Sequence, residues 1–476
     1  MNKLYEKVIG LEIHVELATK TKIFCGCSTA FGGKPNTQIC PVCMAMPGTL
    51  PVLNREVLNK AIAVGLATNC EINLNSYFDR KNYFYPDNPQ NYQISQLYEP
   101  ICKNGYITID VGQGEKIIRI HEIHMEEDAG KLLHQSEGRE TLVDYNRAGV
   151  PLIEIVTSPD MRTAEEVNAF LQKLRLIIQY LGASDCKLNE GSMRVDVNLS
   201  VREVGKELGT RTEMKNLNSF RAIGHAIEHE EKRQIELIEN GKEVELETRR
   251  WDEEKGNSYS MRSKEDSRDY RYYHDPDLPP IRVDEGMIEA IRASLPEFRE
   301  DKIRRYKEDY KLPDYDIDII TSNKKFADIF EDTISYNVPP KKVSNWIMGE
   351  TMRLIRERNL DENNILLDGK KLAYIINAVD DGIINSNTAK LVFEEVLINQ
   401  IEPKTYIEAN NLAQVFDRDT LLSVAKEVIS TNEKSVTDYK SGKTKAIGFL
   451  VGQTMKKMQG KASPVEVTKI LEELLQ

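Results

Sequence analysis

Leu11-Glu12-Ile13-His14-Val15-Glu16-Leu17 and Glu122-Ile123-His124-Met125-Glu126-Glu127-Asp128 write the same acidic-and-histidine pattern twice in one chain. In the first copy Leu11, Ile13, Val15 and Leu17 alternate with Glu12, His14 and Glu16. A period of two with one apolar side predicts a half-buried β-strand. Its wet side holds carboxylates and an imidazole where Lys, Thr and Ser would suffice for solubility. Two such strands brought together make a pocket of oxygen ligands with a few nitrogens, which suits a divalent cation that handles phosphate.

Working outward, the alternation recurs. Tyr106–Val111 and Lys116–Met125 flank the hairpin-like Gly112-Gln113-Gly114, and Leu152–Val156 sets Glu154 among apolar neighbours. Met193–Ser200 alternates Met193, Val195, Val197 and Leu199 with Arg194, Asp196, Asn198 and Ser200, and Arg211–Asn216 repeats this less cleanly. These segments predict an antiparallel sheet with one covered and one wet face. Helices interrupt it at 54–68, from the capping box Thr163-Ala-Glu-Glu166 to Gly182, and from Ser219 to Asn240 before Gly241. The last contains His225-Ala-Ile-Glu228-His229, formally an inverted zinc-peptidase motif, but its charged surroundings read as a solvated helix face.

After Pro279-Pro280 the strand pattern stops, and helical periodicity runs to the end, broken at Pro313, Pro339-Pro340 and Pro403. The expected fold is therefore α+β: an antiparallel-sheet domain over 1–290, an all-α domain over 291–403 and a small helical tail over 404–476. Of 476 residues, 40% are hydrophobic and 29% charged, enough for a sizeable core. No apolar run reaches the ~20 residues of a membrane span, and no basic-then-apolar leader opens the chain, so a cytoplasmic protein with no membrane partner is expected.

A net charge of −12 argues against unspecific coating of nucleic acid but not against a local basic patch. That patch lies between Lys434 and Lys461, where seven lysines face one acid, Asp438. Lysines around a helix start suit contacts to a phosphate backbone. Four of the seven cysteines, Cys25, Cys27, Cys40 and Cys43, bracket a Gly-, Pro- and Asn-rich loop that could not fold on its apolar content. Paired cysteines at this spacing predict a tetrathiolate site for structural Zn²⁺, closed and hence not catalytic. Asp79-Arg-Lys81-Asn-Tyr83-Phe-Tyr85-Pro86 forms an irregular aromatic loop with a face free for a ligand. Gly442-Lys443-Thr444 lacks the upstream glycine of a phosphate loop, no dinucleotide fingerprint follows Gly112 and Gly114, and no Gly-x-Ser-x-Gly elbow occurs. ATP, if used, must be held by carboxylate-bound metals on an antiparallel sheet.

Gly-Leu-Glu12-Ile-His14-Val-Glu16, Asp79–Asp87 with Tyr-Gln-Ile-Ser-Gln96, His-Met-Glu126-Glu127-Asp128-Ala-Gly-Lys131, Asp144–Pro159, Glu213-Met-Lys215-Asn-Leu-Asn218, Asp269–Pro279 and Lys443–Pro464 together span the chain. In these motifs it resembles the B-subunit family of the aspartyl/glutamyl-tRNA amidotransferases, and its cysteine loop resembles that of the zinc-bearing members. The resemblance implies a glutamine-synthetase-like cradle domain, then helices and a tail that grips tRNA. It implies phosphorylation by ATP of the side-chain carboxylate of mischarged Glu-tRNA(Gln) or Asp-tRNA(Asn). Ammonia released by an amidase A subunit then displaces the phosphate, and a small C subunit ties the heterotrimer together. Phosphoryl transfer needs positioning and charge neutralisation, not a protein nucleophile, so the missing elbows are expected.

On this resemblance His14, Glu127 and Glu154 are expected to hold Mg²⁺, with Mn²⁺ as an acceptable substitute because imidazole is an unusual Mg²⁺ ligand. Glu12 and Glu126 are near neighbours, Arg147, Arg194 and Lys215 steady phosphates, and Asp196 and Glu213 hold a second ion. Lys81, Tyr83 and Tyr85 line the ammonia exit, and Lys443, Lys445, Lys456, Lys457 and Lys461 contact the tRNA backbone. Glu126 and Glu127 can both serve only if their strand bulges or ends just after Met125. A carboxylate–histidine metallophosphohydrolase and a non-catalytic tRNA-binding scaffold are the rival readings.

Overall fold

The computed structural model describes residues 4–134, 140–263, 270–413, 418–458 and 462–475; Asp269 and Lys461 lie outside the described residues. The alternating segments become nine strands of one sheet: β1 (Tyr5–Glu16), β2 (Glu71–Ile72), β3 (Cys102–Asp110), β4 (Glu115–Glu127), β5 (Pro151–Thr157), β6 (Met193–Glu203), β7 (Thr212–Lys215), β8 (Glu247–Asp252) and β9 (Asn257–Ser263). Their spatial order is β9-β8-β7-β6-β1-β5-β4-β3-β2, which puts the opening strand at the centre. Neighbours are antiparallel except β7 and β8, which run parallel. The purely antiparallel expectation fails there for a topological reason. A helix joins those two strands, and only a long crossover of this kind can return the chain in the same direction.

Leu11, Ile13 and Val15 of β1, Ile153 and Ile155 of β5, and Val195 and Val197 of β6 are buried on the covered face. Three helices supply the cover. α1 (Arg55–Ala67) packs on β3 and β4, α2 (Ala164–Tyr180) on β3, and α3 (Phe220–Glu239) on β6. Each begins as its sequence dictates. Asn54, Thr163 and Ser219 accept hydrogen bonds from the amides of Glu56, Glu166 and Ala222. The stripe Val167, Phe170, Leu171, Leu174, Ile177 and Ile178 of α2 is buried. A smaller sheet of Tyr273–His274, Asp79–Asn82 and Tyr92–Ser95 carries the aromatic loop and packs against β4.

The chain divides into two compact units, 1–298 and 299–476. The second is helical throughout its described residues, and Pro313, Pro340 and Pro403 stand at helix starts, where a missing N–H is harmless. Within it, Leu421, Ala425 and Val428 pack with Leu450, Val467, Ile470 and Leu471 in an apolar cluster of their own. No helix among the described residues is long and apolar enough to cross a membrane.

Candidate active site

Register across the central strands builds the site. His14 of β1 lies opposite Arg194 of β6 on one side and Glu154 of β5 on the other, and Glu154 lies opposite His124 of β4. The wet face thus carries a row Arg194–His14–Glu154–His124. His14 Nε2 is 3.4 Å from Glu126 Oε1 and 3.6 Å from Glu154 Oε2, and His124 Nε2 is 3.3 Å from the same Glu154 oxygen. One ligand atom each from His14, Glu126 and Glu154 falls within 4.8 Å of the others. Burial alone would raise Glu154, but His124 and His14, with Lys81 and Lys215, pull it down to about 2.

Glu126, and not Glu127, completes this cluster, contrary to expectation. β4 has no bulge at Met125: its pairing with β5 is unbroken from Glu122 to Glu127, and the register shifts only between Val156 and Thr157. Unbroken alternation sends Glu126 to the face of His124 and turns Glu127 away. The Glu127 carboxylate accepts from Gln90 Nε2 (2.7 Å) and the Ile94 amide (3.0 Å), and burial pushes it up to about 8. It borders a separate cavity of about 200 Å³ shared with Lys22, Cys43, Tyr92 and Asp277.

One step along β1, Glu12 lies opposite Asp196, and Asn198 of β6 lies opposite Glu213 of β7. Glu12, Asp196 and Glu213 offer oxygens within 4.8 Å of one another. Asn198 donates to Glu12 (2.9 Å), Thr248 to Glu213 (2.7 Å), and the Lys215 ammonium reaches both Asp196 and Glu213. At the other end of β1, Arg147 forks between Glu16 and the buried Asp128, which also takes Arg194 at 3.0 Å. Burial and the Asp128 charge raise Glu16 to about 7, while Arg194 and Arg147 overcome burial and hold Asp128 below its ordinary range. Cavities open at both ends: about 210 Å³ beside Gly10, Glu12, Asn198 and Arg211, and about 360 Å³ beside Glu16, Phe31, Lys131 and Arg147.

His124, Asp128 and Glu16 join the site although the sequence, which placed them in the two acidic-and-histidine stretches, gave them no individual role. The signal was there for His124, two residues before Glu126 on the same face. Nothing in the linear pattern pairs Asp128 with arginines 19 and 66 residues away. Lys81 lies 5.0 Å from the Tyr270 ring centre, and although burial opposes its charge, Tyr272, Glu126 and Glu154 raise its pKa. Tyr83 meets Tyr270 edge-on, whereas Tyr85 is 52% exposed.

The four thiols of Cys25, Cys27, Cys40 and Cys43 also converge within 4.8 Å, the donor set and spacing of a tetrathiolate centre. His225, Glu228 and His229 form no such group. His225 meets Glu253 at 3.3 Å and His229 stacks edge-on against Trp251. Of the tail lysines, Lys443 pairs with Asp438 (2.9 Å) and Lys457 with Glu427, while Lys445 and Lys456 are exposed.

Residues 7–289 match the family described as GatB/GatE catalytic domain, and residues 328–475 that described as GatB domain. The aspartyl/glutamyl-tRNA(Asn/Gln) amidotransferase B subunit of Agathobacter rectalis is 60% identical over 474 residues, 99% of this chain and 100% of its own. The B subunits of the same name from Caldicellulosiruptor saccharolyticus and Thermoanaerobacter sp. are 55% and 53% identical, each match covering 99% of both chains. With both halves matched and the whole length shared, the chain belongs to the family of aspartyl/glutamyl-tRNA(Asn/Gln) amidotransferase B subunits.

Proposed function

We propose that this chain uses ATP to phosphorylate the side-chain carboxylate of mischarged Glu-tRNA(Gln) or Asp-tRNA(Asn). Ammonia from an amidase A subunit then converts the acyl phosphate to the amide, within a heterotrimer completed by a small C subunit. The observation that carries this reading is the order along β1: two ligand clusters side by side, with a cavity at each end. The nucleotide enters at the Glu12 end, where Arg211 and Lys215 meet its phosphates. The aminoacyl end of tRNA enters at the Glu16 end, where Arg147 and Lys131 meet it. The γ-phosphate and the carboxylate then approach each other over His14.

His14, Glu126 and Glu154 fit a Mg²⁺ or Mn²⁺ ion, and Glu12, Asp196 and Glu213 fit a second, because each set presents mostly hard oxygen donors. Bound there, such ions would neutralise charge on the transferring phosphoryl group. Arg194 stands beside His14 to steady that group. Glu127 lies outside both sets, held by Gln90 and the Ile94 amide. Lys81, Tyr83 and Tyr85 line the ammonia exit. Cys25, Cys27, Cys40 and Cys43 hold structural Zn²⁺, and Lys443, Lys445, Lys456, Lys457 and Lys461 bind the tRNA backbone.

ADP release by the complex, with and without Glu-tRNA, tests the reading. Wild type should release ADP in step with amide formation, and Glu126→Ala should abolish both. Unchanged tRNA-stimulated ATP use in that variant would sink the assignment, and hydrolysis of simple phosphoesters without tRNA would favour a phosphohydrolase.

A further inference from the structure

The four-cysteine loop is stapled along its length to the segment that brings Arg147 into the site. Asn36 takes the lead: its amide donates to Asp144 Oδ1 (3.0 Å), its side chain donates to the Val143 carbonyl (2.9 Å) and accepts from the Tyr145 amide (2.8 Å). Asn146 continues the seam, accepting from the Gln38 amide (2.9 Å) and donating to the Lys34 carbonyl (2.7 Å). At its end the Ile23 amide donates to the Gly149 carbonyl (3.0 Å), and the Gly149 amide donates to the Asp128 carbonyl (2.9 Å). Few of these partners are apolar, so the seam lasts only while the loop keeps its own shape. A loop of this composition keeps its shape through its metal.

Lys22 joins the two halves. Its side chain is fully buried, which is costly for an ammonium without an anionic partner. Among the described residues its nitrogen bonds to Cys43 Sγ (3.5 Å) and the Tyr145 carbonyl (3.3 Å) and makes no ion pair, although Glu127 and Asp277 line the same cavity. Four thiolates around a divalent ion make an anionic centre, the charge that this buried cation lacks. Gly149, at φ +81°, lets the backbone lie against this junction: a Cβ there would stand 3.5 Å from Lys22 Cδ and 3.7 Å from Cys43 Cβ.

We infer that the zinc loop is a strut for the active site: Lys22 couples the Cys43 thiolate to the 143–149 segment and so positions Arg147. The inference rests on the zinc reading of the cysteines and goes beyond it, because a purely local knuckle would leave Arg147 untouched. Lys22 is a positioning residue, and the loop it supports also lines the Glu16-end cavity through Phe31 and Gln38.

Hydrogen exchange on the full-length wild-type chain, before and after zinc is stripped by a chelator, tests the strut without any substitution. Exchange at the amides of 143–149 should rise tenfold or more together with that of 25–43. Continued protection of 143–149 while the cysteine loop opens would overturn the inference. Lys22→Met should release zinc to a colorimetric chelator ~10–100-fold faster than wild type, the usual effect of removing a group that supports a metal ligand. Equal retention in a folded K22M chain would refute the role of Lys22, and if K22M does not fold, the wild-type exchange experiment still decides. In the complex, zinc depletion should lower kcat while KM for ATP stays within about twofold, since Arg147 lies at the Glu16 end; added zinc should restore kcat. A rise in KM for ATP instead would contradict the coupling. A wild-type chain that never binds zinc would sink the zinc reading itself, a result distinct from zinc held equally by wild type and K22M.

Discussion

Glu126→Ala and Glu127→Ala, one residue apart, should fail in different ways. Removing even an indirect supporter of a metal ligand costs ~10–100-fold in affinity, so deleting Glu126 from the trio with His14 and Glu154 should cost at least ~100-fold, about 2.7 kcal/mol. Glu127 has two hydrogen-bond donors on its carboxylate, Gln90 and the Ile94 amide, and is buried. Its loss orphans that amide and should cost about 1–3 kcal/mol of stability, partly offset by the relief of burying a carboxyl. In a domain of this size that lowers Tm by a few degrees, with metal affinity changed less than about threefold. Titrating the purified chains with Mn²⁺ and following the free ion by electron paramagnetic resonance measures the first effect, and calorimetric melting the second. Glu154→Ala serves as the positive control. Loss of Mn²⁺ binding in E127A, with retention in E126A, would refute the register argument that separates the two.

The arginine pair on Asp128 should be non-additive. Arg147→Ala should cost about 1–3 kcal/mol in urea unfolding because Arg194 still neutralises Asp128, whereas removing both strands a buried charge at ~3–5 kcal/mol or more; simple additivity would contradict this picture. In the tail, Lys445→Ala with Lys456→Ala should lower the salt dependence of tRNA binding by up to ~2 units of log–log slope. The pair Lys443→Ala with Lys457→Ala should lower it less, since those lysines are already engaged by Asp438 and Glu427. A filter-binding salt series reads both, and equal slopes would remove the distinction. In the helical unit, burial opposes the Glu331 charge but Lys302, Tyr306 and Arg305 hold its pKa below the ordinary value. The stability it gives is present above the unfolded glutamate pKa and lost as pH falls through the lower folded one. Glu331→Gln should therefore lower Tm near pH 7 and much less near pH 3; an equal loss at both would place its contribution in packing.

Local chemistry in this chain was legible wherever a single period or cap decides it. Alternation gave β1, β4, β5 and β6 and their wet faces. Thr163 and Ser219 marked helix starts, the prolines marked breaks in the helical half, and the cysteine spacing marked a tetrathiol loop. Face membership was legible too: Glu12, His14, Arg194 and Asp196 all lie on the wet face expected of them, and Glu154, read only as set among apolar neighbours, joins them opposite His14. The three adjacent aromatics behaved as their crowding requires, with Tyr83 half-buried and Tyr85 left exposed, but Asp79–Asn82, read as irregular loop, is a strand because it pairs with Tyr92–Ser95.

The opening stretch shows where such reading ends. By itself the sequence determined that Glu12, His14 and Glu16 share a strand face, because side-chain alternation along a strand is a local, steric fact. It could not determine which residues of other strands stand beside them. Register is set by pairing between segments more than a hundred residues apart, and a slip of one residue exchanges every side chain between faces. Only the tertiary structure decided that β4 runs unbroken past Met125, so that Glu126 and His124 meet Glu154 and His14 while Glu127 turns to another cavity. Only it decided that Asp128 gathers two distant arginines, and that a buried lysine joins Cys43 to the Tyr145 carbonyl, two residues before one of them.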